Sequence, residues 1–398
     1  MNRLRVAIVT PIFPVPWDPT RGRPVYETAR AMSELTDVRV YFTTATYAKA
    51  RCLQPRGYFY EPLPDDYVLP GVNMEAVSYP ALPIVSRPFN GWVSAACITP
   101  RLRTYRPDVV LAYWIFPEGM GSLLAARRLG LPCVLGARGS DVRVRDAVSR
   151  LFTGLTLRRA GRVVTVSEEL RQQAVNVYGA SADRVKTIWN GCNTQRFHVR
   201  PREEARAACG LPEGPWRHIL FVGRVVQAKG LMELLRAFAE LTGRHADLKL
   251  IIVGDGVFMP QLRDLVASLR LRERVQFAGA VEPAQVAAWM NAADVLCLPS
   301  HSEGYPNVLV EALACGTPVV TTDVGGAREI VDDSNGIVVP VRQPEALASA
   351  LEQVLQREWS RPALSARFGR SWTQVAAETL SVCQQAVSDA RRERGGVV

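Results

Sequence analysis

The chain has 398 residues, enough for two domains of ordinary size, each with its own core. An apolar fraction of 48% and a charged fraction of 22% exclude a disordered or fibrous chain, and no stretch nears the roughly 18 uninterrupted apolar residues of a membrane span. The net charge of +10 lies in the first half: residues 1–200 carry 27 Lys+Arg against 15 Asp+Glu, and residues 201–398 carry 21 against 23. A basic half points to an anionic partner such as a phospholipid surface, a lipid diphosphate or, on charge alone, nucleic acid. An Arg-rich composition accounts for it equally well, since 44 of the 48 basic residues are Arg.

In chain order, the apolar run Val6–Thr10 reads as a first strand. It is too short for a secretory leader, meets Pro11, Pro14 and Pro16, and lacks a small-residue cleavage site. Further strands are predicted at Val38–Thr43, Met74–Tyr79, Val109–Tyr113, Cys133–Ala137, Val163–Val166 and Val185–Trp189, with helical stretches between them. Such alternation predicts a parallel sheet covered on both faces. After the first strand, Thr20-Arg21-Gly22-Arg23-Pro24 forms a turn before a helix from about Val25 to Glu34. Residues 47–70 break the rhythm: Tyr47, Tyr58, Phe59, Tyr60 and Tyr67 are interleaved with Pro, Arg51 and Arg56. This reads as a long surface loop packed by its own aromatics, with an acceptor or membrane-interface role as the alternative. Trp92–Tyr105 reads as an amphipathic cover helix interrupted at Pro100, with a peripheral membrane helix as second choice. Arg138-Gly139-Ser140-Asp141 follows the fifth strand; Arg138 cannot act as a base but can bind a phosphate or a sugar hydroxyl. Asp141 is either a ligand contact or the cap of the following segment. The turn Asn190-Gly191 and the Pro- and Gly-rich stretch at about 195–215 mark a domain boundary.

The second half restarts the rhythm, with strands predicted at Ile219–Val222, Leu248–Val253, Val275–Phe277, Val295–Leu298, Val319–Thr322 and Ile337–Val339. The first ends in Gly223-Arg224, and Lys229-Gly230 follows at a helix start. Two cations at the carboxyl end of a strand, beside a helix N-terminus, make a diphosphate clamp. Gly254-Asp255-Gly256 ends the next strand, but without the fuller G-x-G-x-x-G it is a weak fingerprint. Residues 299–329 run strand end, loop, helix, strand, loop. Glu303 in the loop and Glu311 in the helix can face one crevice beyond the carboxyl ends of the strands, where open α/β sheets bind ligands. Gly325 and Gly326 arrive at the same edge and let backbone N–H groups approach an anion. The eight Cys form no framework, the four His show no metal-ligand spacing, and Asp-x-Asp is absent, so a reducing cytoplasm and no metal site are expected. A last helix opens at Ser371-Trp372 and runs to about Arg391, followed by a frayed tail.

Set in Ser-Glu-Gly-Tyr-Pro-Asn-Val-Leu-Val-Glu-Ala, the Glu303-x7-Glu311 pair with Gly325-Gly326-x-x-Glu329 resembles the donor site of the retaining glycosyltransferases of family 4. The Gly-Arg-x4-Lys-Gly element at 223–230 matches that family's phosphate-binding element, so the second half resembles it closely and the first half loosely. The resemblance implies an α/β fold of two Rossmann-like domains facing across a cleft, the GT-B fold. Residues 1–195 would form the acceptor side, 196–370 the nucleotide-sugar side, and 371–398 a helix returning to the first domain with its tail. It implies transfer of a hexose-type sugar from a nucleotide diphosphate sugar to a hydroxyl, with the anomeric configuration retained. Arg224 and Lys229 would stabilise the departing diphosphate, assisted by backbone N–H groups of Gly22, Gly325 and Gly326. Glu311 would take the ribose hydroxyls, and Glu303, Gly304, Tyr305 and Asn307 the sugar. Asp141 matches the family pattern and is assigned a catalytic role. Arg138 stands where the family often has His, so that contact is not carried over, and Arg138 is assigned to donor binding.

No metal is expected, and no cofactor beyond the nucleotide sugar as co-substrate. The expected acceptor is a lipid-linked oligosaccharide in surface or exopolysaccharide assembly. The expected location is the cytoplasm, peripheral on the inner face of the membrane, with an anionic membrane surface as partner and no nucleic acid. The departure at Arg138 keeps one alternative open: a non-catalytic nucleotide-sugar-binding partner subunit of another transferase. A glycosidase using Glu303 and Glu311 as acid and base would leave the cation clamp without a purpose.

Overall fold

A computed structural model describes residues 3–47, 63–64, 66–82, 86–144 and 146–395. Most of the aromatic loop expected at 47–70, including Arg51, Arg56, Tyr58, Phe59 and Tyr60, lies outside the described residues. Tyr67 is described, and its hydroxyl donates to the carbonyl of Pro14 at 3.2 Å.

The chain forms two compact units, Met1–Asn190 with Trp372–Val398, and Gly191–Ser371. In the first, seven strands form one sheet: β1 (Arg5–Thr10), β2 (Asp37–Tyr47), β3 (Met74–Ala81), β4 (Val109–Tyr113), β5 (Cys133–Ala137), β6 (Arg162–Thr165) and β7 (Val185–Thr187). Their order is β3-β2-β1-β4-β5-β6-β7, and every pair is parallel. The central strands β4 and β5 are buried at every position, as unbroken apolar runs require when both faces of a sheet are covered. Helix Arg23–Leu35 turns Val25, Ala29 and Met32 into this core, where they join Val375, Val382, Cys383 and Ala386 of the last helix, Trp372–Gly395.

Three local expectations change. β2 runs on to Tyr47, because its pairing with β3 continues to Tyr47 opposite Ala81. Pro100 does not interrupt its helix, which spans Asn90–Tyr105. The proline removes only the N–H that would bond Ala96 O; on either side of that carbonyl Thr99 Oγ1 bonds Ala95 O at 2.6 Å and Arg101 bonds Cys97 O at 2.9 Å. The expected frayed tail from Arg391 continues the last helix to Gly395, where Arg394 donates to the carbonyl of Gly130.

In the second unit the strands are β8 (Arg217–Val222), β9 (Leu248–Val253), β10 (Val275–Gly279), β11 (Val295–Leu298), β12 (Val319–Thr322) and β13 (Gly336–Val339). Their order is β10-β9-β8-β11-β12-β13, again all parallel. The order reverses between β8 and β11, which puts a crevice at the carboxyl ends of those strands. Cys192, Phe197, Ala205 and Leu211 pack into the core of this unit, so it begins ahead of the Pro- and Gly-rich stretch. Its two ends lie side by side: Cys192 N–H donates to Arg370 O at 2.8 Å, and Cys192 forms a parallel bridge with Ser371.

Candidate active site

In the second unit, the loops leaving β8, β9, β11 and β12 meet at one edge of the sheet. The β8 loop carries Arg224, which is exposed, then a short 3₁₀ turn, Gln227–Lys229, and Gly230, which opens helix Leu231–Thr242. Val225 N–H donates to Asp255 O at 2.8 Å, tying this loop to Gly254-Asp255-Gly256 after β9. On the other side His301 N–H donates to Ala228 O at 2.8 Å, tying it to the loop after β11. Gly230 has φ +67°, and a Cβ there would stand 1.9 Å from the carbonyl oxygen of Pro299, so only glycine lets the two loops sit this close.

Within this frame Lys229 Nζ donates to Glu303 Oε1 at 2.6 Å, with side chains 20% and 14% exposed. The sequence assigns these residues to the diphosphate and to the sugar; the structure joins them in one ion pair. Arg224 makes no ion pair among the described residues. Gly326 N–H donates to Gly304 O at 3.0 Å, which seats the Gly325-Gly326 turn on the Glu303-Gly304 backbone. Gly325 has φ +59°, and a Cβ there would lie 2.3 Å from Glu303 O.

Helix Asn307–Ala314 begins immediately after Tyr305 and Pro306, and Glu311 is its fifth residue, partly buried. Burial pushes the Tyr305 hydroxyl above its ordinary range, and the charge of Glu329 adds to this. The Glu311 carboxylate lies near the thiols of Cys192 and Cys315, both raised mainly by burial, Cys315 to about 12. Gly304, Tyr305, Asn307, Glu311, Gly325 and Gly326 are thus brought together with Arg224, Lys229 and Glu303 at one edge of one sheet. A pair that sequence reasoning missed, His301 Nε2 and Glu233 Oε1 at 3.0 Å, braces the same loop. Its only signal was a His three residues past the strand end.

Gly22, Arg138 and Asp141 belong to the first unit. Gly22, with φ +59°, caps helix Arg23–Leu35 at the carboxyl end of β1. The Arg138 guanidinium lies over the ring of Tyr113, 5.6 Å from its centroid, and burial lowers its pKa while Tyr113 and Asp141 oppose the shift. Asp141 is only 1% exposed. Its Oδ1 accepts from the N–H groups of Gly139 at 2.7 Å and Arg138 at 2.9 Å, and its Oδ2 from Ile115 at 3.3 Å. Burial pushes the carboxyl up against those bonds. Through these bonds Asp141 holds the loops after β4 and β5 together.

Glu118, also missed, is buried beside β4 and accepts from the Tyr79 hydroxyl at 2.8 Å. Burial raises its carboxyl from 4.5 to about 7, with Tyr79 opposing. A folded pKa above the unfolded one means that stability present below pH 4.5 is lost as pH rises through 7. Glu118→Gln is therefore expected to stabilise the protein above pH 7, by about 3 kcal/mol, and to change little below pH 4.5. Urea unfolding at about pH 4 and about pH 8 checks the sign. Among the described residues, no group of three His, Cys, Asp or Glu is placed to hold a metal ion.

Residues 22–196 match the model of Glycosyltransferase Family 4, and residues 201–371 match that of Glycosyl transferases group 1. The chain is 34% identical over 312 residues to a D-inositol 3-phosphate glycosyltransferase 2 of Catenulispora acidiphila, covering 71% of each chain. It is 30% identical over 282 residues to a putative teichuronic acid biosynthesis glycosyltransferase of Bacillus subtilis, covering 70% of this chain and 69% of that one. With an uncharacterized glycosyltransferase of Methanocaldococcus jannaschii it shares 34% identity over 233 residues, spanning 59% of that protein's length. A D-inositol 3-phosphate glycosyltransferase of Kineococcus radiotolerans, 35% identical over 260 residues, is spanned over 60% of its length. Among solved structures, a sucrose-phosphate synthase from Thermosynechococcus elongatus superposes with TM-score 0.73 at 20% identity, covering 99% of this chain and all of that one. The Anabaena protein HepE, in complex with UDP-glucose, gives TM-score 0.68 at 17% identity, with 97% and 99% covered. A Family 4 domain followed by a group 1 domain, on two parallel α/β sheets, makes this chain a member of the GT-B glycosyltransferases.

Proposed function

We propose that the chain moves a hexose-type sugar from a nucleotide diphosphate sugar to an acceptor hydroxyl with retention of configuration, the donor held by the second unit. The observation that carries this reading is the β8 loop: an exposed Arg224 and a part-buried Lys229 on one rigid turn, bonded through Lys229 to the Glu303 loop. Cleavage of the sugar–diphosphate bond leaves negative charge on the diphosphate. Cations already fixed by the fold lower that barrier without reorganising, and no other effect open to such a site stabilises the transition state as much. Charge neutralisation is thus assigned to Arg224 and Lys229, with no metal step. The N–H groups of Gly325 and Gly326 add to it, Glu311 takes the ribose, and Glu303 with Gly304, Tyr305 and Asn307 takes the sugar. In the first unit Gly22 and Arg138 are assigned to donor contact, and Asp141 is a positioning residue. The complex of HepE with UDP-glucose supports a nucleotide-sugar donor, and the B. subtilis relative supports a role in surface polysaccharide assembly.

Thermal unfolding of the purified chain against UDP, GDP, ADP and their sugar conjugates, with and without divalent metal, is the direct test. Stabilisation by one nucleotide class without metal, with turnover on a hydroxyl acceptor, is the expected result. Stabilisation without turnover across an acceptor panel would instead favour a nucleotide-sugar-binding partner subunit. Glu311→Gln is expected to weaken donor binding roughly tenfold, the loss of a charged hydrogen-bond acceptor, with little change in stability. Isothermal titration with the nucleotide sugar reads it, and unchanged affinity would overturn the ribose assignment.

A further inference from the structure

On the reading above, Lys229 neutralises the diphosphate while Glu303 accepts from the sugar hydroxyls. In the structure the two side chains hold each other, Nζ to Oε1 at 2.6 Å. A pair this short, with side chains only 20% and 14% exposed, is screened by water and salt much less than a surface pair. Its two charges largely cancel at the range of a bound phosphate, so Lys229 held in this way attracts a diphosphate far less than a lone ammonium does. Arg224, on the same loop, is exposed and makes no ion pair among the described residues. It is available whatever the site contains.

The backbones that carry the pair are fixed to one another. His301 N–H donates to Ala228 O at 2.8 Å, and His301 Nε2 lies 3.0 Å from Oε1 of Glu233, in the first turn of helix Leu231–Thr242. On the other side the Gly325 turn is seated so close to Glu303 that a Cβ on Gly325 would lie 2.3 Å from the Glu303 carbonyl oxygen. An exchange of partners by Lys229 and Glu303 therefore takes place through their side-chain torsions and needs no loop to open.

We infer, resting on the donor assignment above, that Glu303 distinguishes the nucleotide sugar from the nucleoside diphosphate that remains after transfer. With the sugar in place, its hydroxyls donate to Glu303, and Lys229 turns to the diphosphate. With the sugar gone, Glu303 loses those donors and takes Lys229 back. The nucleoside diphosphate then keeps only Arg224 and the backbone N–H groups, and leaves sooner. One carboxylate thus tightens the hold on the substrate and loosens the hold on the product.

The test is isothermal titration of the full chain with UDP, GDP and ADP and with their sugar conjugates, in wild type and in Glu303→Gln. Gln keeps the shape of the side chain but not the charge that holds the ammonium. Glu303→Gln is expected to bind the nucleoside diphosphate about tenfold more tightly and its sugar conjugate about fivefold more weakly, so that the ratio of the two affinities moves by about 50-fold. Displacement kinetics should show the gain as slower release. Glu311→Gln removes the same charge from the same edge, yet it should weaken both ligands alike, because the ribose is common to them. Unchanged affinity of Glu303→Gln for the nucleoside diphosphate would leave Glu303 a sugar contact only, and equal tightening of both ligands would mean simple charge repulsion. Either result overturns the inference while leaving the donor site in place. Binding of no nucleotide to wild type or variant would instead remove the donor assignment, and the inference with it. Should Glu303→Gln fold poorly, Lys229→Met carries the test from the other side of the pair. It should weaken the sugar conjugate more than the nucleoside diphosphate, and equal losses would overturn the inference.

Discussion

Lys229→Ala is expected to lower kcat and kcat/KM together by about 100-fold or more, the scale of removing one fixed charge-stabilising donor from a developing anion. The same change breaks the 2.6 Å bond to Glu303, whose side chain is 14% exposed. At that depth the loss of the pair costs about 1–2 kcal/mol, between the values for exposed and for fully buried pairs. The fall in turnover should therefore far exceed the fall in stability. Steady-state kinetics alongside urea unfolding separates the two, and near-normal turnover would remove Lys229 from the clamp. Lys229→Arg keeps the charge but replaces a compact ammonium with a planar fork, so partial recovery is expected.

Gly230→Ala is expected to be strongly destabilising. Ala must adopt φ +67° and place its Cβ 1.9 Å from Pro299 O, which belongs to the backbone and has no rotamer through which to escape. The left-handed conformation costs about 1 kcal/mol and the enforced separation of two packed loops about 1–3 kcal/mol more. Gly210→Ala supplies the comparison: φ is +64°, yet nothing lies within 4 Å of the added methyl, so only the conformational cost remains. Denaturant unfolding of the two variants reads the difference. Equal losses would mean that the β8 and β11 loops are not held together as tightly as their backbone contacts require. Activity should also fall in Gly230→Ala, because Lys229 is the preceding residue.

Both sheets were legible because a strand covered on two faces must be apolar throughout, and runs such as Val109–Tyr113 and Val295–Leu298 have no other simple reading. The donor-side residues were legible because a short stretch of chain carries the loop, the helix and the next loop. What escaped was set by distance along the chain. Lys229 and Glu303 are 74 residues apart, and no local pattern announces that they share a bond. Glu118 and Tyr79 meet across 39 residues in the same way. Pro100 misled in the other direction, since it removes one intrahelical bond from a helix whose buried Ile98, Leu102 and Tyr105 hold it against the core. Helix Ala147–Arg159 shows a further limit: Val148, Leu151, Phe152 and Leu155 lie on one side of it, yet Ser149, Thr153, Gly154, Thr156 and Leu157 are the residues it buries, because which side turns inward depends on what else packs there.

The assembly of the first unit from Met1–Asn190 and Trp372–Val398 has a consequence for biosynthesis. As the chain leaves the ribosome, its first 190 residues emerge without the helix that covers Val25, Ala29 and Met32. The second unit, being continuous from Gly191 to Ser371, has all its strands before that helix exists. The usual order, in which the amino-terminal domain finishes first, is thereby reversed. Until that helix has been made the nascent sheet of the first unit keeps an apolar face uncovered. Premature termination shortly before Trp372 leaves a second unit with all its strands tethered to a first unit that lacks its covering helix.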